Sequence, residues 1–132
     1  MTAPTIDSPT DVLPAVVSAW AAHDSDAFAD LFVAEGTMTL PGRFLQGREK
    51  IREFLRAAYA GPYQGTRVTG TPIAITPLAE GAVAVVTEGG VLYAGDQEVQ
   101  AGNAIRAVWV LSRAEGSWKL AAYQNTPRNA PA

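Results

Sequence analysis

Gly47 to Tyr59, G-R-E-K-I-R-E-F-L-R-A-A-Y, sets Ile51, Phe54, Leu55, Ala58 and Tyr59 at i, i+3, i+4, i+7 and i+8. At 3.6 residues per turn those side chains form one apolar stripe, and the charges fall on the other face. Glu49, Arg52, Glu53 and Arg56 then form a solvated helix face with only weak pairing expected. This is the clearest helix in the chain, and it separates two different kinds of sequence. Upstream, Leu13, Val16, Val17, Trp20 and Ala21 recur at helical spacing after Asp11 and Pro14, ending near His23. A second short helix restarts at Asp24, with Ala27, Phe28, Leu31 and Phe32 on one stripe. Gly36 to Leu40 reads as a strand stopped by Pro41-Gly42, and Arg43 to Gly47 as its return, a hairpin. Downstream, three β-rich runs, Thr66 to Thr76, Ala82 to Tyr93 and Asn103 to Arg113, are separated by turn signals, and Ser117 to Thr126 closes the meander. Helices first and a long antiparallel sheet afterwards is an α+β order, with the helices covering one face of the sheet.

The totals narrow the function classes. The chain has 132 residues, 48% hydrophobic and 17% charged, enough to bury one core without cross-links. With no cysteine and one histidine, neither a thiolate nor a histidine-rich metal site can be built, and no metal is expected. A net charge of -3 and the lack of any basic run argue against nucleic acid and anionic membranes as partners. No apolar stretch reaches the length of a membrane span, and M-T-A-P-T-I-D-S-P-T lacks a signal-peptide core, so a cytoplasmic protein is expected. The division expected is a disordered lead at 1–10, one domain at 11–126 and a disordered tail at 127–132.

Three stretches carry a resemblance: A-W-A-A-H-D-S-D-A-F-A-D-L-F with T-M-T-L-P-G, then G-R-E-K-I-R-E-F-L, and G-S-W-K-L-A-A-Y-Q-N-T. Over roughly residues 11–126 the chain resembles the nuclear transport factor 2-like, or SnoaL-like, cone fold. Steroid delta-isomerase, polyketide cyclases, scytalone dehydratase and limonene epoxide hydrolase share that fold. The last stretch looks most like the SgcJ/EcaC-type subgroup, which includes small accessory proteins of polyketide gene clusters. The resemblance implies a curved mixed or antiparallel sheet wrapped over three amino-terminal helices, with a cavity at the wide end. It also implies a homodimer through the outer sheet face, for which Trp109, Trp118 and Leu120 are the apolar candidates. The subgroup name includes the word oxidoreductase, but Gly89, Gly90 and Gly95 lie in or after a strand with no helix following, so no dinucleotide fingerprint exists and no cofactor is expected.

The family's catalytic sets do not carry over. Where the isomerases place a base carboxylate this chain has Leu40, and at their tyrosine and proton-donor places it has Val16, Leu55 and Val108. Without a base and an oxyanion donor, proton abstraction beside a carbonyl is not provided for. The dehydratase template needs a histidine deep in the pocket, whereas His23 closes a helix, and the epoxide hydrolase template needs an Asp-Arg-Asp clamp. Trp20, Met38, Leu40, Phe54, Tyr59 and Tyr123 are the expected lining of an apolar cavity, whereas Phe28 and Phe32 read as ordinary core. Arg106 and Asn125 are its expected polar groups. On the last strand Lys119, Ala121, Tyr123 and Asn125 alternate with Trp118, Leu120, Ala122 and Gln124. By analogy with the isomerases the first set faces the cavity, with Arg106, Val108 and Val110 beside it and Glu88 outside. One bulge would instead exchange Arg106 for Trp109 and bring Glu88 in. Three readings stand: a binder of a hydrophobic, polyketide-like or aromatic small molecule, a cyclase, isomerase or hydrolase using Arg106, Asn125 and Glu88, and a dimeric scaffold.

Overall fold

The computed structural model describes residues 5–129. Its elements are α1 (Val12–Ala21), α2 (Ser25–Ala29), β1 (Phe32–Leu40), β2 (Arg43–Gln46), α3 (Arg48–Tyr59), β3 (Arg67–Ala79), β4 (Ala82–Leu92), β5 (Ala104–Ala114) and β6 (Ser117–Pro127). The strands form one sheet in the order β2-β1-β6-β5-β4-β3. The β1–β6 pair is parallel and the others are antiparallel, so this is the expected α+β fold with three helices over a mixed sheet.

Local chemistry sets most of these boundaries. The Asp24 carboxylate accepts a bond from the Ala27 amide at 2.9 Å and starts α2, whereas Asp11 makes no such cap and a short 3-10 turn, Pro9–Asp11, leads into α1 instead. α2 stops at Ala29, and β1 begins at Phe32, earlier than the expected Gly36, so Phe32 belongs to the sheet and not to a helix stripe. α3 starts after Gly47, whose positive φ of 96° turns the chain out of the hairpin. The Arg48 guanidinium donates to the Phe32 carbonyl at 2.7 and 3.0 Å, tying the start of α3 to β1. Arg52 joins Asp26, Asp30 and Glu49 at 2.8 to 3.1 Å, so the helix face expected to pair weakly instead clamps α2 to α3.

The core lies between the helices and the inner face of the sheet. Phe32, Ile51, Leu55, Val85, Leu111 and Leu120 are fully buried there. Trp109, Trp118 and Leu120, expected on the outer face, are instead inside and at most 8% exposed. For Trp118 and Leu120 the reason is a bulge in β6, whereas Trp109 is inside because it pairs with Tyr123. Leu120 pairs with Leu111 but Ala122 pairs with Val110, which leaves Ala121 as an extra residue. Leu120 and Tyr123, three apart, therefore point the same way.

The expected lead and tail also change. Residues 1–4 and 130–132 lie outside the described residues, but Ile6 is bonded to the last strand through its amide (2.8 Å to Ser117 Oγ) and its carbonyl (2.9 Å from the Trp118 amide). At the other end Pro127 completes β6, and the Arg128 amide donates to the Ala104 carbonyl at 2.9 Å.

Candidate functional site

Tyr123 on β6 pairs directly with Trp109 on β5, so the two share a face, and their rings meet edge to face at 4.9 Å. Trp109 Nε1 donates to Thr87 Oγ1 at 2.9 Å, and Trp20 Nε1 donates to Thr66 Oγ1 at the same distance. With both indole donors satisfied, these large rings present apolar faces. Between them lies an inner chamber of about 90 Å³, lined by α1, α2, α3, β1 and the inner faces of β3 to β6. Trp20, Met38, Leu40, Phe54, Tyr123 and Asn125 all line it, as the sequence suggests. Phe28 and Phe32 line it too, although they read as plain core.

Two expected lining residues are elsewhere. Arg106 pairs across the strands with Glu88, and its guanidinium meets that carboxylate on the outer face. Arg128 approaches the same carboxylate at 3.3 Å, and the hydrogen bond from Arg106 holds Glu88 below the usual carboxylate range. The register of β5 against β6 explains the exchange: Trp109, not Val108, stands beside Tyr123, so Arg106 and Val108 point outward. Glu88 is outside as well, as expected. Tyr59 is the second correction. It lines neither the chamber nor the outer space it opens into, because its ring is stacked on His23 at 5.1 Å and edge-on to Trp20 at 5.3 Å. His23 has a φ of 50°, and its Nε2 lies 2.9 Å from the Thr66 carbonyl, so the imidazole locks a loop instead of facing a ligand. Arg106→Met is therefore expected to leave the affinity for any cavity ligand unchanged, as fluorescence titration of the variant beside the parent would record.

The chamber opens into a vestibule of about 820 Å³. Leu40, Phe54, Tyr63, Val91, Ile105 and Asn125 line both spaces and form the neck between them. Arg43 from β2, Lys50 and Glu53 from α3, and Tyr93 and Asn103 from the loops complete the outer space. Sequence reading missed Arg43, Tyr63 and Tyr93. They lie at the ends of elements, where no periodicity marks them. Tyr63 is held by its amide on the Ala58 carbonyl at 2.8 Å and by its carbonyl, which accepts from Thr66 Oγ1 at 2.7 Å.

Polar chemistry in the chamber is sparse. Asn125 Nδ2 donates to the Tyr123 hydroxyl at 3.0 Å. Among the described residues nothing accepts the phenol's own proton, and nothing donates to Asn125 Oδ1. Burial pushes the Tyr123 phenol up to about 12, with the Asn125 hydrogen bond working the other way, so at neutral pH the group is an uncharged donor. Tyr63 is raised mainly by burial, further by Tyr93, and is drawn back by Arg43. Among the described residues, the chamber lining contains no carboxylate, imidazole or amine. The arrangement can therefore bury an apolar group and offer it one donor and one acceptor side by side. Among the described residues no group of His, Asp and Glu is placed to hold a metal ion, and no helix of theirs is long and apolar enough to cross a membrane.

Solved structures share this architecture. A domain of unknown function with a cystatin-like fold from Nostoc punctiforme superposes with a TM-score of 0.82 at 20% identity, covering 91% of this chain and 75% of that one. An NTF2-like protein with a cystatin-like fold from Novosphingobium aromaticivorans gives 0.77 at 15% identity, covering 92% and 80%. A function-unknown protein from Mycobacterium tuberculosis gives 0.78 at 16% identity, covering 92% and 70%. At these identities the likeness is one of fold. No match was found among proteins of curated function. The SnoaL-like domain model matches residues 14–121, and with the helices, the bulged sheet and the cavity between them in place, the chain belongs to the SnoaL-like domain family.

Proposed function

We propose that this protein binds a small, largely apolar molecule in the chamber, with Tyr123 and Asn125 orienting one oxygen of it. Domains of this fold commonly bind small molecules or act as cyclases or isomerases. The observation that carries the binding reading is the lining itself, apolar and aromatic walls with one neutral donor–acceptor pair and no ionisable base among the described residues. Truncating a buried hydrogen-bonding partner of a ligand costs about 1 to 2 kcal/mol, so Tyr123→Phe and Asn125→Ala should each weaken binding about tenfold. We would titrate purified protein with 1-pentanol, a neutral probe whose short chain suits the chamber and whose hydroxyl reaches the neck, following tryptophan fluorescence, since Trp20 and Trp109 line the chamber. Failure of 1-pentanol to bind the parent overturns the reading.

A polyketide-derived or other aromatic ligand of secondary metabolism, with its ring in the vestibule and a short apolar arm in the chamber, agrees with the SgcJ/EcaC-type resemblance, in a cytoplasmic setting. A cyclase or isomerase is the second reading, favoured by the same Tyr123 donor, which could polarise a carbonyl. Its base would have to be Glu53 in the vestibule.

The protein is further proposed to be a homodimer through the outer sheet face, built from different residues than the sequence suggested. Val86 pairs with Val108 and Ala84 with Val110, and Val108 is 40% exposed. Light scattering should give twice the 13.9 kDa chain mass, and Val108→Asp should return it to the mass of one chain.

A further inference from the structure

The chamber and the vestibule differ in charge, and the difference selects among ligands. The inner space of about 90 Å³ is smaller than the ~150 Å³ cavity that admits benzene, so by itself it takes only a short apolar group. A ligand that also reaches Asn125 at the neck must extend into the vestibule. There, in a chain of net charge -3, two cations and one carboxylate line the wall: Arg43, Lys50 and Glu53. The Arg43 guanidinium lies 5.0 Å over the Phe54 ring at the neck. Stacking occupies the face of the guanidinium and leaves its N–H edge free, the edge that pairs bidentately with a carboxylate. Among the described residues neither Arg43 nor Lys50 makes an ion pair or a side-chain hydrogen bond. Arg52, Arg106 and Arg128, by contrast, are engaged with carboxylates.

We infer that the ligand is an amphipathic carboxylic acid, bound with its apolar end in the chamber and its carboxylate on Arg43 at the vestibule. The polarity runs in this direction because an anion in the inner chamber would meet no cation, whereas at the vestibule it keeps part of its water. Tyr123 and Asn125 then face the middle of the molecule, where a hydroxyl or keto oxygen would be matched. Lys50 adds attraction without fixed geometry, and Glu53 opposes it, so the site favours one negative charge and not two. Arg43 thereby sets ligand class.

The inference rests on the chamber being a binding site, and its test separates the two. Octanoate and octanamide have the same chain and differ in charge. In titrations of the parent at low salt, octanoate is expected to bind at least about fivefold more tightly than octanamide, the low end for a partly exposed charged hydrogen bond. Arg43→Met should erase that ratio by weakening octanoate much more than octanamide. Glu53→Gln should widen it, and 0.5 M salt should narrow it, since the Debye length falls to roughly 4 Å. Octanoate and octanamide binding alike, both failing to bind, or both weakening equally in Arg43→Met would overturn the carboxylate assignment. The pocket itself would still stand on the neutral 1-pentanol titration, and it falls only if that fails.

Discussion

Gly89→Ala is expected to melt roughly 10 °C below the parent, corresponding to about 3 kcal/mol for a domain of this size. Gly89 pairs with Gly70 where β4 passes β3. A Cβ at Gly89 would run into the Thr69 carbonyl, and it would stand 2.7 Å from the Thr69 carbonyl carbon and 2.8 Å from Gly70 Cα. These are backbone atoms in a hydrogen-bonded ladder, so no rotamer change relieves the overlap, and the strands must part. The partner position gives the control. A Cβ at Gly70 would meet only the Thr87 side chain, at 3.7 to 3.8 Å, which is ordinary contact, so Gly70→Ala should stay within about 1 kcal/mol of the parent. Thermal melts by circular dichroism on the two variants decide the matter, and equal midpoints would show that the strands do not approach this closely. Because Gly89, Gly90 and Gly70 also line the chamber, the Gly89 variant should lose ligand binding along with stability.

Phe32→Ala should be the most costly single truncation in the chamber wall, at about 3 to 5 kcal/mol. The ring is fully buried, it packs 5.9 Å from Phe28, and it lines the inner chamber. Its loss removes apolar contacts and adds the space of a phenyl group to an existing cavity, which the surrounding strands can close only in part. That space should then accept benzene. At a hundred times its dissociation constant, benzene would return about 2.7 kcal/mol to the variant by mass action, and little to the parent, whose chamber is too small. The measurement is the melting midpoint with and without benzene. Phe32→Leu, a smaller truncation, serves if the alanine variant shows no cooperative transition. Absence of any benzene shift in both would mean that the wall collapses and that the chamber is not held open by the fold.

The same contrast between local and distant causes decides what could be read in advance. α3 was legible because its stripe, Ile51 to Tyr59, is a property of consecutive residues: the helix period alone puts them on one face, and burial follows. Asp24 was legible as a cap because the bond to the Ala27 amide spans only three residues. The β order after the helices, and with it the α+β class, followed from alternating runs and turn signals along the chain. Composition likewise determined that thiolate and histidine-rich metal sites could not form.

Which face of β5 and β6 meets the cavity was another matter. It depends on one extra residue, Ala121, in a run of two alanines that carries no local mark, and on the pairing of Trp109 with Tyr123 across the sheet. A one-residue shift moves every side chain to the opposite face, which is why Arg106 went out and Trp109 came in. Tyr59 sits on the buried side of its helix as the period requires, but only packing against His23 and Trp20 keeps it from the chamber. Arg43, Tyr63 and Tyr93 come from a hairpin and two loops, and nothing in their spacing joins them. The sequence by itself determined the elements, their order and the apolar character of the interior, because those depend on neighbours along the chain. Only the tertiary structure decided which residues face the cavity, because register, a bulge and the convergence of distant loops are set by contacts between segments that are far apart in sequence.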